Sequence, residues 1–246
     1  MSVAAFLATP VPFRLFGPRH LSILAGTAVL AIALVVLARG RRGARLRRPI
    51  ALGLAAGLIV NELLYWGYQF GRGAWTLPRN LPLQLCDVVV VLVAWALCQP
   101  QRRRVGELAY VWGLAATPQG LLTPDLSAQV PRYICAKFFL THGGVVIAVV
   151  YLAAGLGWRP LPGALRRVWL ATNLYAVCVG AFNALVGTNY LYLCAKPAHA
   201  SLLDYFGPWP WYIASMEAAA LVFFGLCLAP YWLADRRAVR RSTKRV

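Results

Sequence analysis

Seven long apolar segments occupy most of the chain, and short, arginine-rich loops separate many of them. Segments of about 20 apolar residues match the hydrocarbon core of a bilayer, which is roughly 30 Å thick. Hydrophobic residues make up 60% of the sequence and charged residues only 13%, which is too apolar for a soluble domain of this length. Because backbone groups that face lipid must be paired within their own segment, we expect α-helices. The predicted spans are residues 20–38, 50–70, 81–98, 105–122, 133–155, 165–187 and 209–233.

Most basic residues lie on one side of this all-α, polytopic arrangement of seven helices. The loops 39–49, 99–104 and 156–167, together with the C-terminal tail, hold 18 of the 25 Lys and Arg residues. The positive-inside rule therefore places the N-terminus outside and the C-terminus in the cytoplasm. The net charge of +18 is spread over short loops, which argues against nucleic acid as a partner and fits attraction to anionic lipid head groups.

This topology divides the chain into three parts. Residues 1–19 are predicted to form an outer interfacial segment, residues 20–234 one transmembrane domain of seven helices, and residues 235–246 a basic cytoplasmic tail. The N-terminal part lacks the basic-then-apolar order of a cleavable signal peptide, so we expect the first helix to act as an anchor. We expect a multi-pass protein of the plasma membrane, and the excess of Arg over Lys suggests a bacterial chain.

Polar and ionisable side chains within the predicted spans cluster toward the outer surface. At about 1.5 Å rise per residue, the main group lies about 8 to 14 Å below that surface. An ionisable group inside a membrane is costly and usually functional, so this layer predicts a cavity that opens outward. The alternative is that the groups pair across helices and only hold them together. The layer contains Glu62, Cys86, Asp87, His142 and Glu217, with Gln119 and Asn183 nearer the surface.

Cys86 and His142 are the pair in this layer that could perform covalent chemistry. The thiolate is the reactive form of cysteine, and an imidazole can remove the thiol proton. Their estimated depths differ by about 6 Å, which helix tilt can absorb. Lys137, near the outer end of the helix that carries His142, could extend to the surface or pair with Asp87. The sequence has no metal-like Cys and His spacing and no cofactor motif, so we expect neither a metal nor a cofactor.

The loop before the last predicted helix is rich in aromatic and polar residues. Its Tyr and Trp side chains could form the aromatic belt that anchors helices at a membrane interface. Its polar side chains could instead meet a lipid head group at the mouth of the cavity. The candidate head-group residues are Asn189, Tyr190, Lys196 and His199.

Segments along almost the whole chain resemble, in order, the YwaF-like family of integral membrane proteins, to which eukaryotic transmembrane protein 164 is similar. The block before the last predicted span is the longest and most specific of them. The segments that carry the resemblance are FGPRHL before the first span, LPLQLCD at the start of the third, LLTPDL after the fourth, the pair His142–Gly143, Asn183, and GTNYLYL with KP and ASLLDYFGPWPWYI before the last span.

The resemblance implies a cysteine-dependent lipid acyltransferase that moves an acyl chain from a phospholipid donor to a lysophospholipid acceptor. The nucleophile and the essential histidine of the eukaryotic relative correspond to Cys86 and His142. The reaction would pass through a thioester on the cysteine. Supporting roles are expected for hydrogen-bond donors to the oxyanion and for a carboxylate that orients the imidazole. The candidate donors are Gln84, Gln119 and Asn183, and the candidate carboxylates are Glu62 and Glu217.

Other functions fit the same sequence. Polar groups inside seven helices could line the pathway of a small-solute transporter. The inner half of the predicted spans has few polar residues, and no inverted repeat is visible, which argues against a transporter. The chain could also bind lipid without catalysis, with Cys86 as a packing residue. Finally, water could replace the acceptor, and the same chemistry would then hydrolyse the donor lipid.

Overall fold

The computed structural model describes residues 6, 8–41, 43–124, 126, 129–197 and 202–243. The chain divides into two compact units, Met1–Trp158 and Arg159–Val246. The helices of the first unit are α1 (Pro18–Arg39), α2 (Gly43–Gly71), α3 (Leu77–Asn80), α4 (Leu85–Cys98), α5 (Arg103–Ala115), α6 (Thr117–Leu122) and α7 (Arg132–Val150), which continues as a π-helix over Tyr151–Gly155. The helices of the second unit are α8 (Ala164–Val186) and α9 (Trp211–Thr243), with 3₁₀ turns at Tyr190–Tyr192 and Leu202–Phe206 between them.

Among the described residues, five helices are long and apolar enough to cross a membrane. These are α1, α2, α7 with its π-helical continuation, α8 and α9. The prediction of an all-α, multi-pass membrane protein is therefore confirmed at that level. The predicted spans 81–98 and 105–122 are also helical, but α4 has 14 residues and α5 has 13. Each is shorter than the roughly 17 residues that a transmembrane helix needs.

Prolines lie where these two helices depart from the predicted spans. Leu81, before Pro82, has the extended backbone that residues before proline prefer, and α4 begins at Leu85. Pro118 lacks the N–H that a continuous helix would bond to the carbonyl of Leu114. The predicted span 105–122 is accordingly split into α5 and α6, and Pro118 lies in the first turn of α6, where proline is favoured.

Helix α7 is the central element of the first unit. In its most apolar stretch of 18 residues, 56% of the residues are buried, against 11–17% in the corresponding stretches of the other four candidate spans. Helices α1, α2, α4, α5 and α6 all contact it. Glycine permits one close approach, because a Cβ atom at Gly113 of α5 would lie 2.7 Å from the Val149 side chain of α7. Side chains on α7 can therefore meet groups from several other helices.

A small antiparallel pair of strands closes one end of the first unit. β1 (Pro10–Pro12) pairs with β2 (Gln129–Pro131), and Val11 is the register partner of Val130. Both valines are buried against Leu121 of α6 and Phe139 of α7. Part of the predicted interfacial segment 1–19 is thus a strand whose apolar side chain joins the core.

Candidate functional site

Cys86 is the second residue of α4, and its thiol is half-buried. The Sγ atom lies 3.9 Å from Oδ1 of Asp87, at the outer limit of a thiol–carboxylate hydrogen bond. Asp87 lies in the first turn of α4, where a helix N-terminus favours a negative charge. Gln84 precedes the helix, and its backbone carbonyl accepts the N–H groups of Asp87 and Val88. The start of α4 thus presents the thiol and the carboxylate side by side.

A buried ion pair joins α2 to α7. Nζ of Lys137 lies 3.1 Å from Oε1 of Glu62, and these side chains are only 13% and 16% exposed. The hydroxyl of Thr141 donates to the same carboxylate oxygen over 2.9 Å, and Nδ2 of Asn61 donates to that hydroxyl over 2.8 Å. The ammonium group also lies 4.5 Å from the ring centroid of Tyr65. Because a buried charge must be paired, these contacts hold α2 and α7 in one register.

The position of Lys137 differs from both sequence-based alternatives. The side chain neither extends freely to the surface nor pairs with Asp87; its ion-pair partner is Glu62. We refer to Asn61, Glu62, Lys137 and Thr141 as the α2–α7 polar network.

His142 follows this network on α7. Its Nδ1 atom lies 2.9 Å from the backbone carbonyl oxygen of Phe138, and the two rings stack with centroids 4.1 Å apart. A carbonyl oxygen only accepts, so Nδ1 of the neutral imidazole carries the proton and Nε2 has the lone pair. Among the described residues, no group makes a hydrogen bond to Nε2. The imidazole is therefore oriented by its own helix and left able to accept a proton.

Glycine at position 120 allows α6 to pass close to this imidazole. A Cβ atom built at Gly120 would lie 2.7 Å from Cδ2 and 3.0 Å from Nε2 of His142. Any larger residue would therefore displace the ring or the helix. Gln119 precedes this glycine, and its Nε2 donates to the carbonyl of Ala115 over 2.7 Å, which uses one of its two amide hydrogens.

Cys86 and His142 lie on α4 and α7, helices of the first unit that pack against each other. Both lie within electrostatic range of Glu62 and Lys137. Four of the sequence-predicted site residues, Glu62, Cys86, Asp87 and His142, thus lie on α2, α4 and α7, three helices of the first unit that pack against one another.

Gln84 and Gln119 also belong to the first unit, whereas Glu217, Asn183 and the head-group candidates belong to the second. Glu217 of α9 accepts a hydrogen bond from Nδ2 of Asn173 of α8 over 2.8 Å, a pairing of the kind that holds helices together. The buried Asn183 donates to the carbonyl of Tyr190 and accepts from the N–H of Tyr190 and the hydroxyl of Thr188.

The loop after α8 is organised by similar bonds. Oδ1 of Asn189 accepts the N–H groups of Cys194 and Ala195, and its Nδ2 donates to the Ala195 carbonyl. Tyr190 is buried, and Nζ of Lys196 lies 3.9 Å from Oδ1 of Asp204. His199 lies outside the described residues. These contacts give Asn183 and Asn189 structural roles in shaping the loop.

Sequence reasoning missed Asn61, Tyr65 and Thr141 as members of the site. One signal was available, since Lys137 and Thr141 are four residues apart and so share one face of a helix. Reasoning on spans also passed over Glu107 of α5, which is 1% exposed. None of the six cysteines forms a disulfide, and the described residues contain no cluster of three or more His, Cys, Asp or Glu that could hold a metal.

Long apolar helices and a charged network between them define a multi-pass α-helical membrane protein with a polar site among its helices. The model of the TMEM164 family matches residues 15–228, which include every element of this site, and the chain belongs to that family. No curated protein and no solved structure matches the chain significantly.

Proposed function

We propose that this protein is an integral membrane lipid acyltransferase, with Cys86 as the nucleophile and His142 as the general base. The observation that carries the proposal is the state of His142: Phe138 binds Nδ1, while Nε2 remains free to accept a proton. Cys86 lies on α4, which packs against α7, and both groups lie within electrostatic range of the Glu62–Lys137 pair. A thiol, a base and a fixed polar network are what nucleophilic catalysis needs.

The first half-reaction transfers the acyl chain to the protein. Nε2 of His142 takes the proton from Sγ of Cys86, and the sulfur attacks the ester carbonyl of a phospholipid. The carbon–oxygen ester bond breaks, and the leaving lysolipid oxygen takes the proton back from the imidazolium. A thioester on Cys86 and a neutral imidazole remain.

The second half-reaction regenerates the thiol. The hydroxyl of a lysophospholipid acceptor gives its proton to Nε2 of His142 and attacks the thioester carbonyl. The carbon–sulfur bond breaks, and the sulfur recovers the proton from the imidazolium. The acceptor lipid now carries the acyl chain, and no cofactor is consumed.

The supporting residues have roles that follow from their contacts. Glu62 and Lys137 hold α2 against α7 and so fix the helix on which His142 lies. Gln119 has a second amide hydrogen that could stabilise an oxyanion, and Gln84 could do so from the start of α4. Asp87 lies beside the thiol. The roles first assigned to Glu217 and Asn183 remain part of the proposal, although both side chains have partners within the second unit.

The membrane arrangement is also part of the proposal. We propose seven spans, with α4 and the α5–α6 pair crossing the membrane in addition to the five longer helices, the N-terminus outside, and the C-terminus in the cytoplasm of a bacterial plasma membrane. The basic residues of the loops and the tail support this orientation. The polar site would then lie at the outer leaflet, close to the depth of lipid ester groups. Within its family, we place the chain in the YwaF-like group.

A product assay tests the activity. Purified protein in mixed micelles receives a phospholipid with a labelled acyl chain and an unlabelled lysophospholipid. We expect labelled acceptor to form with the wild type and with Cys98→Ala, a matched control at the other end of α4. We expect Cys86→Ala to form none. Labelled free fatty acid in place of labelled acceptor would identify a lipid hydrolase.

Equal activity of Cys86→Ala and the wild type would contradict the proposed nucleophile. A protein that binds the labelled lipid but forms no product would instead fit non-catalytic lipid binding. A wild type that neither binds nor transforms lipid, but carries a small solute across proteoliposomes, would fit the transporter alternative.

A further inference from the structure

A second polar site lies at the other end of the first unit, where the loop between α1 and α2 meets the end of α7. A cavity of about 240 Å³ is present there. Two arginine side chains and four backbone-rich positions line it: Arg39, Arg47, Ala154, Gly155, Leu156 and Gly157. It lies on the basic side of the predicted topology and shares no lining residue with the Cys86 and His142 site.

Both arginine side chains are anchored by one nitrogen atom only. Nε of Arg39 donates to the carbonyl of Ala154 over 2.8 Å, and Nε of Arg47 donates to the carbonyl of Ala38 over 3.0 Å. A guanidinium has five N–H donors, so each retains its four terminal hydrogens. Among the described residues, neither group has a carboxylate partner or another hydrogen-bond acceptor. The cavity thus has two fixed positive charges that are not neutralised.

The π-helix at the end of α7 shapes this cavity. Nε of Arg39 bonds to its Ala154 carbonyl, and its Tyr151 hydroxyl donates to the backbone carbonyl of Arg47 over 3.0 Å. Gly155 lets the turn close, because a Cβ atom there would lie 2.8 Å from the Tyr151 ring. Single π-helical turns are rare and occur frequently at functional sites. One short segment therefore positions both arginines.

The charge of the surrounding chain favours an anion. The segment 39–49, from the end of α1 into α2, contains six arginines, and the sequence has no Asp or Glu before Glu62. A planar guanidinium matches the oxygen geometry of a phosphate and binds it through paired hydrogen bonds. The cavity has room for a phosphate group with part of a head group attached.

We propose that the Arg39–Arg47 cavity binds a phosphate group, presented either by an anionic phospholipid or as free phosphate. Arg39 and Arg47 donate hydrogen bonds to the phosphate oxygens from their terminal nitrogens, and their Nε–carbonyl bonds hold both guanidinium groups in place. On the predicted topology the site faces the cytoplasmic leaflet. It does not depend on the proposed acyl transfer.

Thermal unfolding of the full-length protein in neutral detergent tests the site, because a ligand that binds the native state raises the unfolding midpoint. Inorganic phosphate is one probe, and dioleoyl phosphatidylglycerol in mixed micelles is the other, with dioleoyl phosphatidylcholine as background. A shift with phosphatidylglycerol alone identifies a lipid site, and a shift with both identifies a site that also accepts free phosphate. No shift with either probe overturns the proposal.

A charge-matched pair of variants separates a built site from diffuse attraction. R39Q/R47Q removes both lining arginines, whereas R41Q/R45Q removes two charges from the same segment at positions that do not line the cavity. We expect R39Q/R47Q to weaken the apparent affinity roughly tenfold more than R41Q/R45Q, since only it removes charged hydrogen bonds. Equal losses in the two variants overturn the proposal.

A second pair leaves both arginines in place and applies if R39Q/R47Q fails to fold. Gly157 has φ of +70°, and a Cβ atom there would meet nothing within 4 Å. Asp and Asn both tolerate this backbone region better than other residues. Gly157→Asp places a carboxylate at the rim and should weaken phosphate binding roughly tenfold, whereas the neutral Gly157→Asn should not. The same affinity in both variants overturns the proposal.

Discussion

Two regions beside α6 each contain a histidine, and the two imidazole rings differ in how many of their nitrogens are hydrogen-bonded. His20 of α1 is fully buried, its Nδ1 accepts the N–H of Phe16 over 3.0 Å, and its Nε2 donates to the carbonyl of Leu121 over 2.7 Å. Within the part of the chain that the structure describes, His142 has a partner for Nδ1 alone, and its Nε2 faces Gly120. Neighbouring residues of one short helix thus satisfy the first imidazole and leave the second open.

The difference separates structural roles from chemical roles among buried histidines. An imidazole with both nitrogens bonded fixes its surroundings and has no lone pair to offer. An imidazole with one bonded nitrogen is oriented and can still accept a proton, as a general base must. Judged by burial alone, His20 would be the stronger candidate for a chemical role than His142. The hydrogen bonds of the two rings reverse that order.

The largest effect is expected from His142→Gln. Removal of a general base typically lowers a rate by about 10²- to 10⁴-fold, and acyl transfer should fall by that factor. The unfolding midpoint should change little, because the ring makes only one hydrogen bond. Product formation in micelles and thermal unfolding measure the two quantities. A variant with near wild-type activity would remove His142 from the mechanism.

His20→Ala should show the converse behaviour. It leaves the Leu121 carbonyl and the Phe16 N–H without their partner and opens a space among the rings of Phe13, Phe16 and Phe139. The free energy of unfolding should fall by about 2 to 4 kcal/mol. Activity per folded molecule should remain, as measured after separating folded protein by gel filtration. Loss of activity without loss of stability would break the comparison.

Gly120→Ala tests the open side of His142 directly. The added methyl group would lie 2.7 Å from the imidazole, and such overpacking costs about 1 to 3 kcal/mol. We expect roughly a tenfold fall in acyl transfer, since the ring or α6 must shift. Gly57→Ala on α2 is the control, because nothing lies within 4 Å of its Cβ position. Equal activity of the two variants would show that the close approach is unimportant.

Thr141→Val should give the smallest effect. It removes the hydroxyl that links Asn61 to Glu62 while keeping the volume of the side chain. The expected loss of unfolding free energy is about 1 kcal/mol, measured by denaturant titration. Thr27→Val on α1 is the control, because its hydroxyl donates to the carbonyl of Ile23 in its own helix. A larger loss in the control would argue against a network role for Thr141.

Much of the fold follows from the sequence, because a bilayer imposes helix length and internal hydrogen bonding on every apolar segment. Five of the predicted spans are helices long and apolar enough to cross a membrane, whereas the span 81–98 is helical only from Leu85 and the span 105–122 is divided into two helices. The interruption at Pro118 was readable in principle, since a proline inside a predicted helix removes a donor. Hydropathy, which defined the predicted span, is averaged over many residues and does not register a single proline.

The contacts between side chains within the site are harder to predict from the sequence. The pairing of Lys137 with Glu62 depends on the rotation of α2 relative to α7, which packing contacts such as that between Leu58 and Gly144 determine. The free Nε2 of His142 depends on the rotamer of one side chain. Periodicity predicts the face of a helix on which a residue lies, but not which neighbour it meets.

The most direct test of the central claim is a search for the acyl-enzyme. The wild type is incubated with a phospholipid alone and then digested with a protease. Mass spectrometry then gives the mass of the peptide that contains Cys86. The account predicts a mass increase of one acyl chain that neutral hydroxylamine removes, and no such increase in His142→Gln. An unmodified Cys86 peptide in wild-type protein that transfers acyl chains would contradict it.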